Sequence, residues 1–508
     1  MYSTFMGLET AYRALITSQA ATDTTGQNIS NASTTGYSRQ VANLQATTPL
    51  TITANSKDLS IGTGSFLRDI TRVRDAYLDQ QYRRETSQYE YWSGKEATLS
   101  LTEQFFNETS NYSLSSDMSE FWNAWSDLAN SPEESASRIV VREKAVSLTE
   151  TFHNIDQQIT SLQNDLNNSV DTTITKINTF SNQIQLLNNQ IRNAEIRGDN
   201  PNDLKDQRDQ IVDELSKIVP VTVEESLDPN FTDRSVGNYT VKIGNSAAAD
   251  NVLVTNGSAY HLQENPVPTD AATGFSEVWW EASADGTKTA AEVDLGSGMG
   301  FLQADIEMRD TYLSEFRGNL NTLVTVIADS VNALHQSGQG LTTDTGLDFF
   351  TSSDLTSPIT AANIIVNQDI QDDVNLIASG IADATGVSSG DSSIALAISA
   401  LSSGWNSLTT YASVPASVTA LGTSSILDYY EGLTAELGSD VEQSTRMAEG
   451  QNVLATQLSN SREALSGVSL DEEMIDMIKF QKGYSSAARI VTVLDTMLES
   501  LLGMGVTK

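Results

Sequence analysis

The chain has only three histidines, His153, His261 and His335, and they stand far apart. None has a second histidine or a carboxylate at metal-ligand spacing such as H-E-x-x-H, so each reads as a structural or surface residue. The chain has no cysteine, which excludes disulfides, thiolate metal ligands and cysteine nucleophiles together. Gly296-Ser-Gly-Met-Gly300 has the glycine density of a phosphate loop but fits neither GxxxxGK[ST] nor GxGxxG, and it reads as a hinge. The carboxylate pairs Glu224/Glu225 and Asp372/Asp373 could transfer protons only if buried together in a cleft, and such pairs are ordinarily solvated. Tyr89/Tyr91/Trp92 and Phe121/Trp122/Trp125 could stack on a ligand, but their helical spacing points to packing between helices. No G-x-S-x-G elbow and no complete calcium loop is present. The residue types imply no reaction centre, metal or cofactor, so function must lie in what the elements present to one another.

At 508 residues the chain has room for three to four domains with sizeable cores. Its 66 acidic residues outnumber 29 Lys plus Arg, for a net charge of −37. That balance argues against nucleic acid and against anionic membrane surfaces as partners. It suits subunits that must stay soluble and repel one another, or a salty medium. No apolar run is long enough to span a bilayer. Met1-Tyr-Ser-Thr-Phe-Met-Gly lacks the basic and apolar regions of a cleavable signal, as expected of a cytoplasmic protein or of leaderless export.

The two ends carry the most informative pattern. Phe5, Leu8, Tyr12, Leu15, Gln19, Thr22, Gly26 and Ile29 alternate at threes and fours. Met474, Met477, Gln481, Tyr484, Ala488, Val491, Met497 and Leu501 keep a similar register, widened by Ile478, Leu494 and Leu498. Each row is a narrow apolar seam of the kind that packs helices lengthwise. The expected fold is therefore mainly α and elongated, with terminal helices pairing as a coiled coil, a long helical rod, and inserted β structure.

Between the ends, residues 41–74 read as an irregular extended segment punctuated by Pro49, Gly62 and Gly64. From Glu133 to Arg197 the three-four alternation continues through Leu148, Phe152, Ile155, Ile159, Leu162 and Leu166. A stutter follows at Val170 and Ile174, then the alternation resumes to Ala194, which predicts a slender antiparallel rod. Another helix is expected over Asn202–Ile218. Short β-type runs follow Pro220, and helical spacing returns at Gly300 and stops at Ser337-Gly-Gln-Gly340. Ser469 with Glu472 forms a capping-box signal for the last helix. The expected domains are 1–70, 71–219, 220–298 (β insert), 299–340, 341–425 (Ser/Thr/Gly-rich) and 426–508.

Two blocks carry a family likeness. Ile29-Ser-Asn-Ala-Ser-Thr-Thr-Gly-Tyr-Ser-Arg-Gln40 resembles the N-terminal signature of the rod and hook proteins of the bacterial flagellum. Its Tyr-Ser-Arg-Gln extension is similar to the hook-associated FlgK family. Ser466-Gly-Val-Ser-Leu-Asp-Glu-Glu-Met-Ile-Asp-Met-Ile-Lys-Phe-Gln-Lys-Gly-Tyr484 resembles that family's C-terminal signature, with weaker matches at Gly300–Asp310 and Ala328–Gly340. Thr35 stands where many members have proline, which would loosen the turn before Gly36 without abolishing it.

The resemblance implies a structural subunit, not an enzyme, of the hook–filament junction, extracellular and exported through the flagellar type III channel without a cleaved signal. It implies a ring of about eleven copies, with hook protein below, the flagellin-like second hook-associated protein above, and an export chaperone on the C-terminal region. Residues 1–35 and 469–505 would form the inner tube. The expected subunit interface is Leu8, Tyr12, Leu15, Ile29, Tyr37, Met474, Ile478, Tyr484, Val491, Leu494, Leu498 and Leu501. The alternatives are a rod, hook or flagellin-type axial subunit, or a surface adhesin or enzyme, which would need a polar cleft within 220–425.

Overall fold

The computed structural model describes residues 6–54, 57–106, 113–231, 235–244, 251–265, 274–283, 288–296, 298–342, 346–381, 390–422 and 424–505; of residues 52–54, 57–59, 501 and 503–505 only the backbone is described. Phe5 and the Leu501 side chain lie outside this description. The chain opens with α1 (Met6–Ser30) and closes with α11 (Ile426–Ser466) and α12 (Leu470–Gly505). Residues 41–74, expected to be irregular, form a β ribbon instead. β1 (Gln40–Ala46) pairs antiparallel with β4 (Ser65–Arg72), and β2 (Leu50–Ala54) pairs with β3 (Lys57–Ile61) beyond them. A bulge between Asn43 and Leu44 breaks the alternation that would have announced the strands.

The body begins with α2 (Ala76–Phe106), α3 (Leu114–Asn130), α4 (Ser135–Ile196) and α5 (Asn202–Ile218). A meander of β5 (Val221–Leu227), β6 (Gly237–Ile243), β7 (Val252–Thr255) and β8 (Ser258–Ala259) follows. β9 (Leu262–Glu264) then pairs with β10 (Val278–Trp280). The chain returns through α6 (Phe301–Glu307), a π turn at Met308–Tyr312, and α7 (Leu313–Ser337). β11 (Phe350–Ser352), β12 (Ile364–Val366), α8 (Gln368–Asp372), α9 (Ser393–Ser399) and α10 (Asn406–Tyr411) complete it.

The 62 residues of α4 run about 93 Å at 1.5 Å per residue. They are not a bare rod, because the seam is buried in two successive cores. Leu148 to Leu166 pack with α3, α7 and the N-terminal end of α11, whereas Val170 to Ile184 pack with α5 and the β meander. The stutter at Val170 and Ile174 falls where the helix passes from one core to the other. The returning chain crosses at the same level, with Leu302 in the second core and Met308 in the first. There the π turn re-phases the helix, and Gln163 Nε2 donates to the Arg309 carbonyl at 3.0 Å.

Residues 341–425, expected as a Ser/Thr/Gly-rich domain of their own, join the helical body. Phe349, Phe350, Ile364, Val366, Ile377, Ile394 and Leu401 are buried in the first core, against α7 and α3. Ile364 and Val366 alternate on β12 and Ile394 and Ile398 keep helical spacing on α9, whereas Phe349 and Ile377 are single apolar anchors in Ser/Thr/Gly-rich surroundings.

Candidate functional site: the paired ends and their joint

The terminal helices pair antiparallel. A Cβ on Gly7 would lie 3.4 Å from Leu494, and one on Gly483 would lie 3.1 Å from Ser18 Oγ. Asn28 donates to Glu473 at 3.0 Å. The residue numbers in each pair add to the same value, so register holds over the whole overlap. The row that α1 buries is Ala11, Ala21, Thr25 and Asn28, joined at the same heptad spacing by Gly7 and Ser18. Small side chains let the two backbones approach closely. Thr10 and Thr17 lie on the adjoining face toward the ribbon, with Thr17 Oγ1 3.5 Å from Ser65 Oγ.

The seam expected from apolar periodicity sits beside this row. Leu8, Leu15 and Ile29 are half-buried, and Tyr12 is 56 % exposed. On α12, Val491, Leu494 and Leu498 are half-buried, while Met474 and Ile478 are each 56 % exposed and Tyr484 is 42 % exposed. Ile16, Ile475, Ile490, Val493 and Met497 are exposed as well. Pairing within the chain thus uses the small residues and leaves much of the larger apolar surface outward.

The Thr34-Thr-Gly-Tyr-Ser-Arg-Gln40 loop works as a polar joint between this pair and the body. Gly36 takes φ +79°, suited to glycine, and a Cβ there would lie 3.4 Å from Gln210 Oε1. The buried amide of Asn28 accepts from Tyr37 Oη at 2.8 Å and from the Gln40 N–H at 3.0 Å, and donates to the Gln40 carbonyl at 2.8 Å. Arg39 reaches Glu473 at 2.6 Å and Glu472 at 3.1 Å, and its N–H donates to the Ser466 carbonyl. Glu472, expected as a capping partner, ties α12 to the loop through Arg39. Burial, with the nearby charges of Asp203, Asp206 and Glu473, pushes the Tyr37 phenol well above its usual range and keeps it a donor.

Helix α5 receives the loop. Asp203, Asp206, Asp209 and Asp213 recur at threes and fours on one face, while Val212, Leu215 and Ile218 enter the second core. Asp206 accepts from the Ser38 N–H at 2.9 Å and the Ser38 hydroxyl at 2.7 Å, and Asp203 accepts from Gln40 at 2.7 Å. Arg72 bridges Asp206 (2.8 Å) and Asp209 (2.6 Å), and Arg74 pairs with Asp79 at 2.6 Å. Arg83 from α2 holds Asp213 at 2.6 Å. Arg462 from α11 binds Asp213 at 2.7 Å and Asp79 at 3.0 Å, and its guanidinium lies 4.3 Å from the Tyr82 ring centre. Burial alone would raise the Asp209 carboxyl, but Arg72, Arg74, Arg83 and Arg208 reverse this and hold it at about 2. The same aspartates keep Arg74 and Arg83 charged against burial.

Of these joint residues only Tyr37 is among the interface residues expected from sequence. The legible part of the signal was the four-aspartate spacing of α5 with the Arg-Val-Arg at 72–74. Among the described residues no group of His, Asp and Glu could hold a metal, and no helix is long and apolar enough to cross a membrane.

Long helices, ends paired lengthwise, outward apolar rows and a polar joint define an elongated structural subunit built to assemble. Comparison with known proteins narrows this class. Residues 99–350 match the family described as the flagellar hook-associated protein FlgK helical domain. Residues 8–37 match the flagella basal body rod protein family, and 463–504 match the flagellar basal body rod FlgEFG protein C-terminal family. These two matches fall on α1 with its loop and on α12. The chain is 33 % identical over 522 residues to flagellar hook-associated protein 1 of Bacillus subtilis, covering 100 % of this chain and 99 % of that one. The Escherichia coli protein of that name is 24 % identical, covering 98 % of this chain and 99 % of the relative. A solved structure described as the flagellar hook junction protein FlgK from Burkholderia pseudomallei aligns with TM-score 0.61 at 14 % identity, covering 76 % of this chain and all of that one, and shares the fold. The chain belongs to the flagellar hook-associated protein 1 family, structural components of the bacterial flagellum.

Proposed function

We propose that this chain is a non-catalytic subunit of the junction between hook and filament, outside the cell, and that filament assembly depends on it. The observation that carries the reading is the division of labour at the ends. Small residues pair α1 with α12, and Tyr12, Met474, Ile478 and Tyr484 remain exposed among the described residues. With Leu8, Leu15, Ile29, Tyr37, Val491, Leu494, Leu498 and Leu501 they form the interface to neighbouring subunits. The ring holds about eleven copies, set between hook protein and the flagellin-like second hook-associated protein. A chaperone escorts the C-terminal region, and export needs no cleaved signal. The functional units are 1–70 and the helix 469–502 at the axis, 71–219 and 299–340 as the helical body with 426–466 packed on it, and 220–298 and 341–425 attached to it. A rod- or hook-type subunit would share the two end matches but not the helical-domain match over 99–350.

Electron microscopy of cells lacking this chain tests the reading. Hooks without filaments, with flagellin lost to the medium, are the expected result. Intact filaments would overturn it.

A further inference from the structure

His335 lies near the end of α7, fully enclosed, with both ring nitrogens committed to the segment that follows the helix. Nδ1 lies 2.7 Å from the Leu347 carbonyl, and the Ala378 N–H donates to Nε2 at 2.9 Å. A carbonyl can only accept and an amide N–H can only donate, so the ring is neutral with its hydrogen on Nδ1. Arg138 of α4, also fully buried, grips the same strap. Its guanidinium donates to the Ile377 and Pro132 carbonyls and to Ser379 Oγ, and it has no carboxylate partner among the described residues.

The strap lies close against the end of α7. Gln339 N–H donates to the Gly380 carbonyl at 2.8 Å, and Leu341 N–H donates to the Asn375 carbonyl at 2.8 Å. A Cβ on Gly338 would lie 2.9 Å from the Ala378 Cβ, and one on Gly340 would lie 2.2 Å from the Asn375 carbonyl. The glycines that end α7 therefore make room for the strap.

We propose that His335 and Arg138 form an acid-sensitive clasp, so that protonating the imidazole releases residues 373–381 from the end of α7. Protonation puts a second N–H where Ala378 needs an acceptor and adds a cation within the field of Arg138. Among the described residues no carboxylate pairs with the ring to offset that charge. Asp348 accepts from Gln336, Asp373 from the Asn375 N–H, and Asp391 from the Ile381 and Ser393 N–H groups. Burial chiefly, with Arg138 adding to it, pushes the His335 ring down to about 4 from its usual 6.5, against the smaller opposing effect of the Leu347 contact.

The released state thus binds more protons between those two values, and the clasp weakens as pH falls from 6.5 towards 4. Linkage gives about a 20-fold rise in strap opening at pH 5 over pH 7, levelling near about 240-fold well below pH 4. Hydrogen exchange of the full chain, corrected for intrinsic rates, reads this as loss of protection at residues 375–381. His335→Gln keeps a donor and an acceptor without titrating, and its protection should stay flat over the same range. A flat wild-type profile, or an equal fall in His335→Gln, would overturn the clasp. Should His335→Gln fail to fold, nitrogen NMR of histidine-labelled wild-type protein decides. The expected signal is a ring that stays in the neutral Nδ1–H form to below pH 5, and one that titrates near 6.5 sinks the proposal.

Discussion

Replacing Asp209 with asparagine removes the charge at the centre of the joint while keeping its shape. The carboxyl is held at about 2 against 3.8 for the free group. That difference corresponds to about 2 kcal/mol of preference for the ionised form in the folded state. Loss of one partner from a buried ionic network brings about 3–5 kcal/mol, because the remaining charges stay buried without compensation. The expected loss for Asp209→Asn is therefore about 2–4 kcal/mol at pH 7. Native-state hydrogen exchange on α5 peptides measures it as the free energy of opening of that helix.

Asp203→Asn is the control. Asp203 is exposed and accepts from the neutral amides of Gln40 and Gln27, so its loss should stay below about 1 kcal/mol. The sign with pH follows from the depressed value. Stability due to the Asp209 charge is complete above 3.8 and is lost as pH falls towards 2. The asparagine variant has nothing to lose in that window, so the gap between the two proteins should narrow there. A penalty under 1 kcal/mol at pH 7, or one matched by Asp203→Asn, would refute the claim that buried charge holds the joint.

Gly300→Ala should destabilise the second core by at least about 2 kcal/mol, seen as a lower melting temperature. Gly300 takes φ +85°, and a Cβ there would lie 2.5 Å from the Ile218 carbonyl and 2.9 Å from Val219 Cα, which are backbone atoms that cannot step aside. Leu494→Asp should block incorporation into flagella while leaving the melting of the two central cores unchanged, since Leu494 packs at Gly7 on the terminal pair. A fall in the stability of the cores would place the pair inside the folding unit of the body.

Legibility in this sequence follows where an element buries its apolar groups. Helices α4 and α5 could be read almost to their ends because each buries a continuous apolar stripe. The ribbon at 40–72 could not, since its pairing partners stand up to 32 positions apart and a bulge shifts the alternation midway. The joint was hidden for a related reason. Arg83 and Asp213 are separated by 130 positions and Arg39 and Glu473 by 434, so no local pattern joins them. Within residues 341–425, Ile364–Val366 and the spacing of Ile394 and Ile398 mark β12 and α9, whereas anchors such as Phe349 and Ile377 stand outside regular elements and have no period.

The terminal pair shows why apolar periodicity found the right helices while the contact within the chain falls on an adjoining row of α1. Leu8, Tyr12 and Leu15 carry far more apolar surface than Gly7, Ala11 and Ser18, yet the small residues are the ones that let α12 lie close. A helix pair that buried all its large residues in cis would be finished as a monomer. This pair buries little and is held at one end by Asn28, Arg39 and Glu473, so its isolated stability is small and contacts with further helices must supply the rest. The polar joint suits that arrangement. Charge-assisted hydrogen bonds fix direction closely but cover little apolar area, so α5 can aim the pair without spending the surface a neighbouring subunit needs.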